Sequence, residues 1–274
     1  MDLLTALQSS DWFRSVAHET QYIGVRYFIY SFVAFMFFYL VIGVLLPHKK
    51  IQKSKLKWQQ AVWEVSWSTL SIFILSATIG TGTWLVFGQW GGGPWGGYVA
   101  PMWMQYVLIL PLMILFHDAY FYWVHRAMHH PWLYKHVHAV HHRSTDPTSL
   151  AAFSFHPFEA FLEAMVLPLM FLAFPADGYM YVLYTVSIFV INVVNHSGYE
   201  LYPHRLLRWF GIQWITTPTH HNMHHRTFNY NFGLYTNFWD RLMRTEHRLY
   251  QQHFERVAGT KSYGPDRGVP PDVV

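Results

Sequence analysis

The sequence contains no cysteine. That absence excludes disulfides, thiolate-held iron–sulfur clusters, Cys-ligated haem and zinc ribbons. Charge is scarce too: Asp, Glu, Lys and Arg make up 12% of the 274 residues, against roughly 25% in an average globular chain. A water-soluble protein of this size could not cover its surface with so few charges. With 52% hydrophobic and 19% aromatic residues, the composition points to lipid as part of the solvent. The net charge is only +4, and no basic patch interleaved with aromatics marks a nucleic-acid surface. The modest basicity reads as membrane topology instead.

What is present is a series of long uncharged runs. Tyr27–Leu46 carries no charge over 20 residues, Val65–Phe87 none over 23, and Tyr98–Phe116 none over 19. Each is long enough to cross a hydrocarbon core. Met1 to about Gln21 reads as a short interfacial helix and not as a signal peptide. Ala164–Phe174 and Tyr179–Val194 are shorter and read as a hairpin of tilted helices or a re-entrant pair. The length suits one membrane-embedded domain, 1–274, with a loosely ordered Gly/Pro-rich tail from about 259. A lysine cluster, Lys49, Lys50, Lys53, Lys55 and Lys57, follows the first run, whereas the Gly88–Gly97 loop has no charge. The positive-inside rule puts the lysine loop, the region after Phe116 and the C-terminal region on the cytosolic face.

Histidine is the unusual residue. Fifteen of 19 lie between His117 and His225, and they fall into three groups: His125, His129 and His130; His138, His141 and His142; His221, His224 and His225. On a helix, residues three and four apart share a face, so each group can aim imidazoles at one point. Neutral imidazole suits iron, copper, zinc and nickel. With one of His129 and His130 counted, eight imidazoles are too many for one ion and suit two ions close together. A structural zinc site needs about four ligands, usually with Cys, and would leave half the set unexplained. His196, closing an apolar run, is a further candidate ligand. His156 reads either as a ligand or as a helix start. His117 and His220 read as supporting residues, and Asp118 and Asp240 as carboxylates able to accept a ring N–H from a ligating His. His18, His48, His247 and His253 are isolated and read as ordinary surface or core residues.

These residues resemble the sterol desaturase and fatty-acid hydroxylase superfamily of integral-membrane di-iron enzymes. Asp118 before Tyr120–Trp123 and His125-Arg126 resembles the family's first box with its lead-in. His156-Pro157-Phe158-Glu159, Asn195–Glu200, and Asn231-Phe232-Gly233 with Trp239–Leu242 resemble its later segments. The match runs from about 117 to 247. The resemblance implies an all-α base of about four spanning helices under a cytosolic histidine-rich cap. It also implies two iron ions, dioxygen as co-substrate, and an external electron donor of cytochrome b5 or ferredoxin/reductase type. His129 is favoured over His130 as the ligand completing the first box. Met243-Arg244-Thr245 stands where many relatives carry Gly-Thr. The His156–Glu159 and His196–Gly198 segments look nearer the 4-methyl sterol oxidases than the C5-desaturases.

The expected activity is therefore oxygen-dependent desaturation or hydroxylation of a bilayer lipid, a sterol before a fatty acid, carotenoid or ether lipid. The expected location is the endoplasmic reticulum in a eukaryote and the inner membrane in a bacterium. A histidine-rich membrane protein that only binds or transports metal is the non-enzymatic alternative. It would need histidines or carboxylates lining a path through the spans, and Tyr27–Leu46 and Val65–Phe87 have none.

Overall fold

The computed structural model describes residues 10–51, 54–203 and 214–259. Lys53, His204, Arg205, Arg208 and the Gly/Pro-rich tail from 260 lie outside the described residues. Among the described residues the secondary structure is helical, and four helices are long and apolar enough to cross a membrane.

The first, α1, spans Ser10–Met36 and continues through a π turn, Phe37–Ile42, to Leu45. Of the interfacial helix expected over Met1 to about Gln21, residues 10–21 merge into it, and residues 1–9 lie outside the described residues. Polarity falls between Gln21 and Arg26, but no proline or glycine pair breaks the helix there, and Pro47 stops it. α2 (Trp58–Thr83, then a π turn to Gln89) runs back. Trp12 Nε1 donates to Thr81 Oγ1 at 3.0 Å and Ser15 Oγ to the Gly80 carbonyl at 2.9 Å. A Cβ on Gly80 would meet Val16 Cα at 2.8 Å, so glycine permits this crossing.

The third helix starts at Met102 and becomes regular as α3, Leu110–Met128. It therefore carries the first histidine box on the same rod as the third apolar run. A short helix, α4 (Pro131–His136), and two 3-10 segments, His138–Arg143 and Ser149–Phe153, lead to α5 (Pro157–Ala164) and α6 (Val166–Ala173). His156 caps α5: its Nδ1 accepts from Phe158 N at 3.2 Å, ahead of Pro157 at the first helical position. α7 (Gly178–Asn195) begins at Asp177, whose Oδ1 accepts from Met180 N at 2.8 Å. The expected hairpin is thus unequal, with one arm broken at Met165 and the other a helix of 18 residues. The remaining helices are α8 (Pro218–Thr227), α9 (Phe238–Leu242) and α10 (Tyr250–Ala258).

Apolar side chains from α3, α6 and α7, centred on Met113, Met170 and Tyr184, form one core. Tyr27, Ile72 and Phe189 from α1, α2 and α7 centre a second. Exposed tryptophans mark both ends of the bundle: Trp95 and Trp103 near the start of the third helix, Trp58, Trp123 and Trp132 near the histidine boxes. The lysine loop lies at the box end. Lys49 Nζ donates to the Ala258 carbonyl at 2.5 Å, and Ser54 Oγ bonds Asp146.

Candidate metal centre

Four elements deliver imidazoles to one buried place. α3 supplies His125 and ends just before His129. The 3-10 segment supplies His138, His141 and His142, the end of α7 supplies His196, and α8 supplies His221, His224 and His225. Two groups result: His125, His129, His138, His142 and His224; and His141, His196, His221 and His225. Within each, one ring nitrogen per residue lies within 4.8 Å of the others. The groups adjoin, with the rings of His142 and His225 4.8 Å apart between centroids.

The boxes do not each aim at one point, as the spacing alone suggests. His141 and His142 are neighbours in a 3-10 turn, so their side chains diverge by about 120° and enter different groups. His224 and His225 diverge by about 100° on α8 and also split. The second and third boxes therefore build both groups together.

Four of these imidazoles have their tautomer fixed from behind. The Nδ1–H groups of His125, His196 and His224 donate to the carbonyls of Phe232, Asn192 and Tyr230 at 2.9, 2.8 and 2.7 Å. His138 Nδ1 donates to Glu159 Oε1 at 2.7 Å. Each Nε2 is then a bare lone pair. The Nε2 atoms then crowd together: His125 to His138 at 3.0 Å, His142 to His224 at 3.0 Å, His196 to His221 at 3.0 Å and to His141 at 3.4 Å. Where both nitrogens are bare, as at His125 and His138, the contact repels unless a cation lies between them. Two nitrogens each about 2.1 Å from a shared ion and at right angles sit about 3.0 Å apart, so the spacing fits a metal ion in each group. Burial, reinforced by neighbouring imidazoles, holds His138, His142, His221, His224 and His225 well below the usual histidine range. Burial also holds His196 down to about 4. Neutral imidazole is the form a metal needs.

The other sequence candidates fall differently. His130 is exposed and belongs to neither group. His156 is the helix cap described above. His117 Nδ1 meets the hydroxyls of Tyr184 and Tyr235 at 2.6 and 2.7 Å. His220 is buried, with Nε2 3.5 Å from Asp240 Oδ2. Neither Asp118 nor Asp240 accepts from an imidazole of the two groups. Asp118 takes the backbone N–H groups of Tyr235 and Thr236 at 3.1 and 2.9 Å. Asp240 takes those of Phe232 and Gly233, both at 2.8 Å, and so sets the carbonyl that orients His125. The carboxylate that accepts from a box imidazole is Glu159, which the sequence reading left without a role. Its signal was its place three residues after the capping His156, where the first turn of α5 turns back towards the cage.

A cavity of about 710 Å³ opens beneath this cage. His125, His138, His141, His196 and His221 form one end, and Leu75, Ile79, Phe171, Tyr181 and Ile188 line the wall below. The arrangement defines a class: a membrane helical bundle capped by two adjoining histidine sites above an apolar chamber.

The fatty acid hydroxylase family model matches residues 110–245. The chain is 32% identical over 154 residues to the Delta(7)-sterol 5(6)-desaturase of Leptosphaeria maculans, covering 56% of this chain and 41% of that protein. It is 37% identical over 132 residues to a probable Delta(7)-sterol 5(6)-desaturase of Neurospora crassa, covering 48% and 36%. It is 30% identical over 223 residues to lathosterol oxidase of Mus musculus, covering 79% and 70%. The chain thus spans about two-fifths of the length of the two fungal relatives. No solved structure matches. The chain belongs to the sterol desaturase and fatty-acid hydroxylase superfamily. The expected nearness of two motifs to the 4-methyl sterol oxidases has no counterpart among these three relatives.

Proposed function

We propose that this protein is a membrane enzyme that uses dioxygen and two iron ions to oxidise a sterol, with electrons from a separate donor protein. The observation that carries the reading is that histidines of both groups line one apolar cavity. The all-nitrogen donor set is one that iron accepts. When bound, the iron pair would supply the reduction of dioxygen and the removal of hydrogen from an unactivated carbon. The chain's part is positioning. Glu159 and the Phe232, Asn192 and Tyr230 carbonyls hold the imidazoles in one tautomer, and the apolar wall holds the lipid and excludes water. The names of the relatives favour desaturation, and the lysine loop beside the boxes supports a cytosolic cap.

Lipid mass spectrometry of a deletion strain and its parent, with and without oxygen, tests this. The deletion should lose a sterol lighter by two hydrogens, and oxygen withdrawal from the parent should reproduce the loss. Unchanged sterols overturn the proposal. A lost acyl-lipid product in their place would identify a fatty-acid enzyme.

A further inference from the structure

The cavity wall is mainly apolar; its polar side chains below the cage include Glu19 and Arg26 of α1, Asp177, His117 and Glu163. On α3, His117 lies two turns before His125, about 12 Å along the axis. On α5, Glu163 lies one turn beyond Glu159, about 6 Å along. Both face the cavity. His117 is fixed by the hydroxyls of Tyr184 and Tyr235 on one ring nitrogen. The Glu163 carboxyl has no hydrogen-bond partner among the described residues, although Tyr120, Tyr184 and Tyr235 lie close enough to feel its charge. Burial pushes this carboxyl up to about 8, so near neutral pH it keeps its proton and can donate. A carboxyl left unpaired in an apolar chamber is costly, and buried polar groups nearly always find a partner. Here the missing partner has to come from the occupant.

We propose that Glu163, beside the His117–Tyr184–Tyr235 group, hydrogen-bonds a lone hydroxyl on an otherwise apolar ring lipid and thereby sets which carbon lies under the histidine cage. This rests on the lipid-oxidising reading above. An acyl chain threaded to the cage would bring only methylene groups past Glu163, leaving the acid unsatisfied. A ring lipid with a hydroxyl at one end satisfies it inside the chamber. Sites built to bind a hydroxyl reject analogues that lack it.

The test uses the full chain in lipid nanodiscs, loaded with iron, and equilibrium binding of tritiated lathosterol and its 3-deoxy analogue. The wild type should bind the hydroxylated probe about tenfold more tightly, as one neutral hydrogen bond permits. Glu163→Leu should erase that preference by weakening only the hydroxylated probe, with both irons retained. Glu163→Gln, which keeps an N–H donor, should stay within about threefold of wild type. Equal wild-type binding of the two probes, or a Glu163→Leu protein that keeps the preference, overturns the role of Glu163 and leaves the lipid reading standing. A Gln variant as weak as the Leu variant also overturns it, because donation is then not the function. Failure of the iron-loaded wild type to bind either probe overturns both.

Discussion

His138 and Glu159 meet in the buried interior with Nδ1 2.7 Å from Oε1. The contact joins the second histidine box to the first turn of α5, and it fixes the lone pair that His138 turns towards His125. A carboxylate behind a ligand imidazole typically changes metal affinity 10- to 100-fold. Glu159→Ala should therefore weaken the first metal group by about that factor while the group built around His221 keeps its ion. Glu159→Gln, whose amide oxygen still accepts, should lose less. Metal titration of the purified variants checks both.

The first box offers two neighbouring histidines with opposite surroundings. His129 lies in the cage, its ring 4.8 Å from those of His142 and His224 between centroids, whereas His130 is exposed. His129→Ala should lower bound metal and abolish turnover. His130→Ala should leave both within about twofold, as exposed substitutions usually do. Loss of metal in the His130 variant would reverse the assignment.

Asp240 supplies a pH-dependent part of the stability. Burial alone would raise its carboxyl, but the contact with His220, the Gly233 N–H and the Thr245 hydroxyl outweigh that and hold it below the usual carboxylate range. A carboxyl depressed in the folded state stabilises above its unfolded pKa, about 3.9, and that contribution is lost as pH falls through the folded value. Asp240→Asn should cost about 1–3 kcal/mol at pH 7. The gap to wild type should close as pH falls below about 4. Thermal unfolding in detergent at several pH values measures this, and a gap independent of pH contradicts it.

Much of this architecture is legible in the sequence because lipid imposes simple rules. Uncharged runs of about 20 residues gave three of the spanning helices, and the histidine spacing pointed to the imidazoles that gather into two groups. The continuity of α1 back to Ser10 was hidden, since a drop in apolar character between Gln21 and Arg26 does not end a helix that lacks a breaker. The split of His141 from His142 was hidden as well. It depends on a 3-10 turn lying across both groups, which side-chain spacing does not specify. Glu159 and Phe232 act through contacts with residues far away in the chain, and the cavity exists only once the seven helices that line it are packed.

The shared face of the lysine loop and the boxes supports the proposed cytosolic orientation, which labelling tests. The natural chain has no cysteine, so single cysteines report without background. Lys55→Cys and Gln89→Cys are both at exposed positions at opposite ends of α2. An impermeant thiol reagent applied to the non-cytosolic face should label only the Gln89 variant. Labelling of the Lys55 variant alone would invert the topology.

The two-ion histidine cage is tested most directly by counting iron in purified, iron-loaded protein alongside His141→Ala and His224→Ala. Each variant removes one imidazole from a different group. Two irons per chain in the wild type, with a loss of about one in each variant, is the expected result. A wild type that holds a single ion or none, or variants that keep both ions, would contradict the two-site centre.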